Sequence, residues 1–182
     1  MGIFHGKSRP QNDSAESIKI VLIGLENAGK TSFMRLLTAG DSRGETIPTI
    51  GFNIGECRLD TGKGLIFDVG GQSKAMWKNY ITDAKIVIFI VDSADKSRIN
   101  ELKSQIQILS TNIDKKSLLI FLLNKIDLDD SVSIQQFLED MEVDRLFNND
   151  LFIHRISVVK QLGFDQFLSK MSTFLKTPKI SL

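Results

Sequence analysis

The chain has one cysteine in 182 residues, Cys57. A single thiol excludes an intrachain disulfide and fits a reducing compartment. On a strand-like segment it reads as a small apolar packing residue. Histidine is almost as scarce. His5 and His154 have no partner at metal-ligand spacing, and neither a Cys/His cluster nor a nucleophile elbow is present. Both read as solvated or locally bonded. An excess of either charge is also lacking. The 23 Lys and Arg against 22 Asp and Glu leave a net charge of +1, which provides no broad basic face for nucleic acid. No apolar run approaches the length of a bilayer span. The opening residues Met1-Gly2-Ile3-Phe4-His5-Gly6-Lys7 lack the apolar core of a secretion signal. What remains is 42% hydrophobic and 25% charged, an ordinary globular composition with room for a sizeable core in one domain.

Residues 1–17 are polar after Ile3 and Phe4, contain Pro10, and read as a mobile arm. From Ile18 onward strand-like and helix-like segments alternate. Strands are expected at Ile18–Ile23, Phe52–Leu59, Leu65–Phe67, Ile86–Val91, Leu118–Leu123 and Leu151–Ile156. Asp60–Gly64 has the composition of a hairpin turn. Helical spacing appears from Ser32 to Leu37, from Ile99 to Ile113, after the capping Ser133, and from Phe164 to Leu175. Lys96–Arg98 looks like a helix start rather than a recognition patch. The unbroken β-branched run Ile86–Val91 suits a strand buried on both faces. Alternation of this kind implies an α/β fold: a mostly parallel six-stranded sheet, one antiparallel hairpin strand, and helices on both faces. Ligands of such sheets bind at the carboxyl ends of the strands, and each polar motif of the chain follows a strand.

The first motif is Gly24-Leu25-Glu26-Asn27-Ala28-Gly29-Lys30-Thr31, between a strand and the helix that Ser32 begins. That context is what a phosphate-binding P-loop requires. Glycines let backbone N–H groups converge on phosphate oxygens, and the helix N-terminus adds its own donors. Lys30 would reach the β/γ-phosphates, and the Thr31 hydroxyl would bind Mg²⁺. Asp68-Val69-Gly70-Gly71-Gln72 puts a carboxylate directly after a strand, where it can hold Mg²⁺ through a water. Gly71 can bring its N–H to a γ-phosphate, and Gln72 can orient the attacking water. Asn124-Lys125-Ile126-Asp127 follows another buried strand. Asp127 can accept hydrogen bonds from N1–H and the 2-amino group of guanine, a donor pair that adenine lacks. Lys125 can cover a base edge, and Asn124 can tie this loop to the P-loop. Thr49 can place its hydroxyl on Mg²⁺ and its N–H on the γ-phosphate. The segment from Asp41 to Gly51 would then order with GTP and loosen after hydrolysis. In Ser157-Val158-Val159-Lys160 the Val158 amide can meet the base carbonyl, while Lys160 reads as a solvated charge.

Gly24–Thr31, Asp68–Gln72 and Asn124–Asp127, with Pro48-Thr49-Ile50-Gly51-Phe52-Asn53, make Ile18 to about Leu175 resemble the Arf family of Ras-like small GTPases. The resemblance implies a GTP/GDP switch with Mg²⁺ that hydrolyses GTP. It also implies action in membrane traffic or organelle positioning, with exchange factors, GTPase activators and effectors contacting the switches. Phe52, Phe67 and Tyr80 match positions of an aromatic effector-binding cluster, although for Phe67 core packing is an equal reading. The chain departs from the family pattern in several places. Glu26 replaces the usual Asp near the γ-phosphate and crowds the space for water. Thr46, three residues before Thr49, stands where the pattern would have an arginine, so no built-in arginine finger is expected. The stretch Ser73–Tyr80 is shorter than the usual second switch, with Trp77 kept as an anchor. Ser157-Val158 replaces Ser-Ala, and Gly163 keeps only part of the following glycine pattern. The expected consequence is slow intrinsic hydrolysis that depends on an activator.

Gly2 raises N-myristoylation, although Gly6 stands where the acceptor pattern wants Ser or Thr. One acyl chain needs a second signal for stable anchoring, and the alternative is an unmodified arm. The expected location is cytoplasmic, with a peripheral membrane contact if Gly2 is acylated, and the expected state is a monomer. Two rival readings are a guanine-nucleotide scaffold with little turnover, which Glu26, the short second switch and the altered last loop favour and Gln72 and Thr49 oppose, and a small ATP-dependent kinase, which Asp127 opposes.

Overall fold

The computed structural model describes residues 17–40, 49, 51–71 and 74–176, with side chains of the helix at 74–81 described from Trp77 onward. The arm before Ser17, the residues 41–48, Ile50, Gln72 and Ser73 lie outside the described residues, as do Gly2, His5 and Thr46 among the positions singled out above.

β1 (Ile18–Ile23) is followed by α1 (Lys30–Ala39), then by the hairpin β2 (Phe52–Leu59) and β3 (Gly62–Val69). The chain continues through α2 (Lys74–Ile81), β4 (Ile86–Asp92), a 3₁₀ turn (Lys96–Arg98), α3 (Ile99–Asn112) and β5 (Leu118–Asn124). It closes with α4 (Ile134–Met141), α5 (Val143–Leu146), β6 (Leu151–Arg155) and α6 (Phe164–Lys176). The strands form one six-stranded sheet in the order β2-β3-β1-β4-β5-β6. Only the β2–β3 pair is antiparallel. The expected mixed α/β sheet is therefore present. No helix is expected from the sequence at α2, where Ser73–Tyr80 reads as a switch segment, or at α5, which has only four residues.

Two cores cover the two faces of the sheet, and strand alternation assigns the residues to them. Val21, Ile23, Phe89 and Phe121 pack with Trp77 from α2, Ile106 from α3 and Phe137 from α4. Ile20, Leu22, Ile88 and Ile120 pack with Phe33 from α1 and Phe167 from α6. Every residue of β5 is buried, which explains its continuous apolar run. Phe33 meets Phe167 edge-on at 5.4 Å.

The hairpin differs from expectation in one respect. Gly62 and Gly64 are strand residues, so the turn is confined to Asp60 and Thr61. Gly64 answers a packing demand: a Cβ there would lie 2.8 Å from the Cys57 Sγ and 2.9 Å from Ile20 Cδ1. Cys57 is buried as a packing residue, and burial pushes its thiol pKa up. α1 begins at Lys30, two residues before the expected start, which makes Lys30 part of the helix N-terminus. His154 is locally bonded, one ring nitrogen standing 2.8 Å from the Gly163 carbonyl.

Candidate functional site

The loops leaving β1, β3, β5 and β6 meet at the carboxyl edge of the sheet and enclose a cavity of about 580 Å³. The β1–α1 loop supplies its floor. Gly24 adopts φ +145°, and a Cβ there would stand 2.2 Å from the Ile90 carbonyl oxygen. Gly29 adopts φ +97° and abuts the Asn124 amide. Both turns therefore exclude larger residues. Leu25 and Ala28 are buried beneath the loop, while Glu26, Asn27, Gly29, Lys30, Thr31 and Ser32 line the cavity.

Lys30 is almost wholly buried, and its ammonium donates to the Gly24 and Leu25 carbonyls at 3.0 and 2.8 Å. Burial lowers its pKa to about 8, against which the Asp68 and Glu26 carboxylates hold the proton on. The site thus contains a desolvated cation bounded by two anions. Thr31 Oγ1 donates to Asp68 Oδ2 at 2.6 Å and lies 3.1 Å from Thr49 Oγ1. Asp68 is fully buried, and its Oδ1 has no hydrogen-bond partner among the described residues. Gly71 packs so closely on the β1–α1 loop that a Cβ would stand 2.6 Å from the Glu26 nitrogen.

The other end of the cavity is built by the β5 and β6 loops. Asn124 joins three segments: its Nδ2 donates to the Ala28 carbonyl at 2.8 Å, and its Oδ1 accepts from the Val158 amide at 3.0 Å. The tie expected of Asn124 is present. The Val158 amide, expected to face a base carbonyl, is engaged in that tie. Lys125 adopts φ +67°, and its ammonium pairs with Asp92 at 2.6 Å, which fixes the direction of its stem. Asp127 is exposed and lines the cavity. Ser157 is fully buried and accepts a hydrogen bond from the Lys160 amide through its Oγ, at 3.1 Å.

Of the expected site residues, Glu26, Asn27, Gly29, Lys30, Thr31, Ser32, Thr49, Gly71, Asn124, Lys125, Asp127, Ser157 and Val158 line the cavity, Gly24, Leu25, Ala28 and Asp68 do not, and Gln72 lies outside the described residues. Sequence reasoning missed Leu128 and Val159, exposed apolar side chains that line the cavity beside Asp127 and Val158. It also missed Asp92. No motif marks Leu128, because an apolar residue in a loop carries no periodic signal; Val159 lies inside the Ser157–Lys160 motif without a role there, and Asp92 reads only as the end of a strand.

Away from the cavity, Phe52, Phe67 and Tyr80 form a ring cluster with centroids 5.2 to 6.4 Å apart. Phe52 is 43% exposed. Lys19 stands over the Phe67 ring at 5.2 Å. Trp77 is buried edge-on against Phe89 and donates to the Gly70 carbonyl at 3.4 Å, an anchor for the segment after β3.

A similar fold occurs in the Arl6 BBS3 small GTPase of Trypanosoma brucei, solved with the nucleotide analogue GppNp: TM-score 0.76, 22% identity, covering 87% of this chain and 99% of that one. ADP-ribosylation factor K of Dictyostelium discoideum is 30% identical over 164 residues, 88% of this chain and 82% of that protein. ADP-ribosylation factor-like protein 1 of Drosophila melanogaster is 30% identical over 168 residues, 91% of this chain and 93% of that protein. The model of the ADP-ribosylation factor family matches residues 7–175, a span that contains every loop of the cavity. The chain belongs to the ADP-ribosylation factor family of small GTPases.

Proposed function

We propose that the cavity holds a guanine nucleotide with Mg²⁺, and that the protein is a switch that hydrolyses GTP to GDP and phosphate. The observation that carries this reading is the Asn124 side chain, bonded to the β1–α1 loop and to the β6 loop at once. It sets the end that would read a base at fixed distance from the end that would hold phosphates. Lys30, Thr31, Ser32 and the loop amides from Gly24 to Gly29 bind phosphate oxygens; Asp127 selects guanine, with Lys125, Ser157 and Val158 framing the base.

The residues present fit a Mg²⁺ site. The lone Asp68 Oδ1 is a buried carboxylate oxygen with no partner among the described residues, beside two threonine hydroxyls, a hard oxygen set of the kind Mg²⁺ takes together with phosphate and water. Thr31, Thr49 and Asp68 would hold it. The ion, when bound, supplies charge neutralisation on the phosphates. Lys30 presents positive charge to the β/γ-phosphate oxygens. Gly71, which lines the cavity, would offer its amide to the same group, and Gln72 orients the attacking water for in-line displacement. Glu26 lines the cavity where that water would enter, which supports slow intrinsic turnover and reliance on a GTPase activator.

Effectors and exchange factors are assigned to the switch segments, with the exposed ring cluster around Phe52 as a contact. The protein acts as a monomer in membrane traffic or organelle positioning, without nucleic acid. It is cytoplasmic, and acylation at Gly2 would make it peripheral to a membrane. Single-turnover release of phosphate from preloaded GTP tests the enzymatic part. Slow release is expected from the purified chain, falling further in Gln72→Leu. Rapid release would overturn the slow-turnover reading. No release even with activator-containing extract would favour the rival scaffold, the reading that Glu26 supports.

A further inference from the structure

A planar trans peptide directs the carbonyl of one residue and the N–H of the next to opposite sides. A group that holds a loop carbonyl outward therefore aims the following amide inward. Two carbonyls of the β1–α1 loop are held by side chains distant in sequence, one of them outside the cavity. Asn124 takes that of Ala28, at 2.8 Å. The other is that of Glu26, which accepts from Arg98 Nη1 at 3.1 Å, across 72 residues of sequence. Arg98 stands at the end of the 3₁₀ turn before α3. Its own orientation is fixed by Nε donating to Glu101 Oε2 at 2.8 Å. The residue after Glu26 is Asn27, which lines the cavity and adopts φ +61°, a left-handed conformation that needs support.

The segment that carries Arg98 touches the cavity nowhere, since none of residues 92–98 lines it. It is nevertheless bonded to both ends. Asp92 pairs with Lys125, and the Ser93 amide and hydroxyl both donate to the Asn124 carbonyl. Arg98 completes the connection at the phosphate end.

We propose that Arg98 is a positioning residue of the phosphate loop: by holding the Glu26 carbonyl outward it aims the Asn27 amide at the phosphate oxygens of the bound nucleotide. The proposal rests on the guanine-nucleotide reading of the cavity. It makes the contribution of the β-phosphate, and not that of the base, depend on a guanidinium that meets no part of the ligand.

The test compares competition by GDP and by GMP for the wild type, Arg98→Gln, Arg98→Lys and Glu101→Gln. Loss of one aimed donor should weaken GDP about tenfold in Arg98→Gln while leaving GMP unchanged, so that the GDP-to-GMP affinity ratio falls by that factor. Arg98→Lys, which keeps a charged donor, should recover part of it. Glu101→Gln removes the charge that orients the guanidinium and should lower the ratio in the same direction, by less than Arg98→Gln does. Equal weakening of GDP and GMP in Arg98→Gln, or an unmoved ratio in the folded Arg98 variants, would overturn the proposal while leaving the nucleotide site standing. A wild-type chain that binds neither ligand would overturn both.

Discussion

Asp127 shows how one side chain would decide a ligand. It is exposed at the cavity mouth, on a turn held by the Leu128 amide donating to the Lys125 carbonyl. A carboxylate there accepts two hydrogen bonds from guanine; an amide presents a donor, which suits the extra carbonyl of xanthine. Asp127→Asn should therefore lose most of its affinity for GDP and gain affinity for xanthosine diphosphate, the exchange read by competition against a fluorescent nucleotide. Retained GDP preference would mean that another group reads the base. Residues of this kind were legible in the sequence because their chemistry is tied to short spacings: Lys30 and Thr31 after Gly29, Asp127 after Asn124. Arg98 was not legible. Its partner is a backbone carbonyl 72 residues away, and nothing in the local pattern around Lys96–Arg98 distinguishes a loop-holding guanidinium from a solvated helix start.

Among the elements, the tip of the β2–β3 hairpin is tied to a helix by side chains. Asp60 in its turn accepts from Ser172 and pairs with Lys176 of α6 at 2.7 Å. The Lys176 contact, then the Ser172 contact, hold the Asp60 carboxyl below the usual aspartate value. A lowered carboxylate favours the folded arrangement above its unfolded pKa of about 3.9. That contribution is lost as pH falls through the lower folded value. The pair is exposed, so the effect is local rather than global. Asp60→Asn at neutral pH should raise amide exchange at the hairpin tip with little change in melting temperature. The wild type should approach the variant as pH drops below about 4. Equal protection in both at neutral pH would show that the tie does not hold the hairpin. The strands of this hairpin were readable from composition, but its turn was placed too wide, because Gly64 looks like a turn residue and is in fact a packing residue against Cys57 and Ile20. α5 escaped the reading because its four residues are fewer than the helical period needs to be recognised.

For the whole molecule, two apolar layers on one twisted sheet bring four loops to a single edge. β1, β4 and β5 were legible because they lie in the interior of the sheet, and burial on both faces leaves long apolar runs. The strand order and the ties between loops were not. They are set by contacts between residues far apart in the chain, such as Asn124 with Ala28 and Arg155 with Ser131. The arrangement accounts for a site whose phosphate and base ends are fixed relative to each other before a ligand arrives. Its most direct test is the equilibrium affinity of the folded chain, supplied with Mg²⁺, for GDP and GTP beside ADP and ATP. Tight binding of both guanine nucleotides, with adenine nucleotides weaker by roughly 10³-fold or more, is the predicted result. No measurable affinity for either guanine nucleotide, or equal affinity for their adenine counterparts, would contradict it.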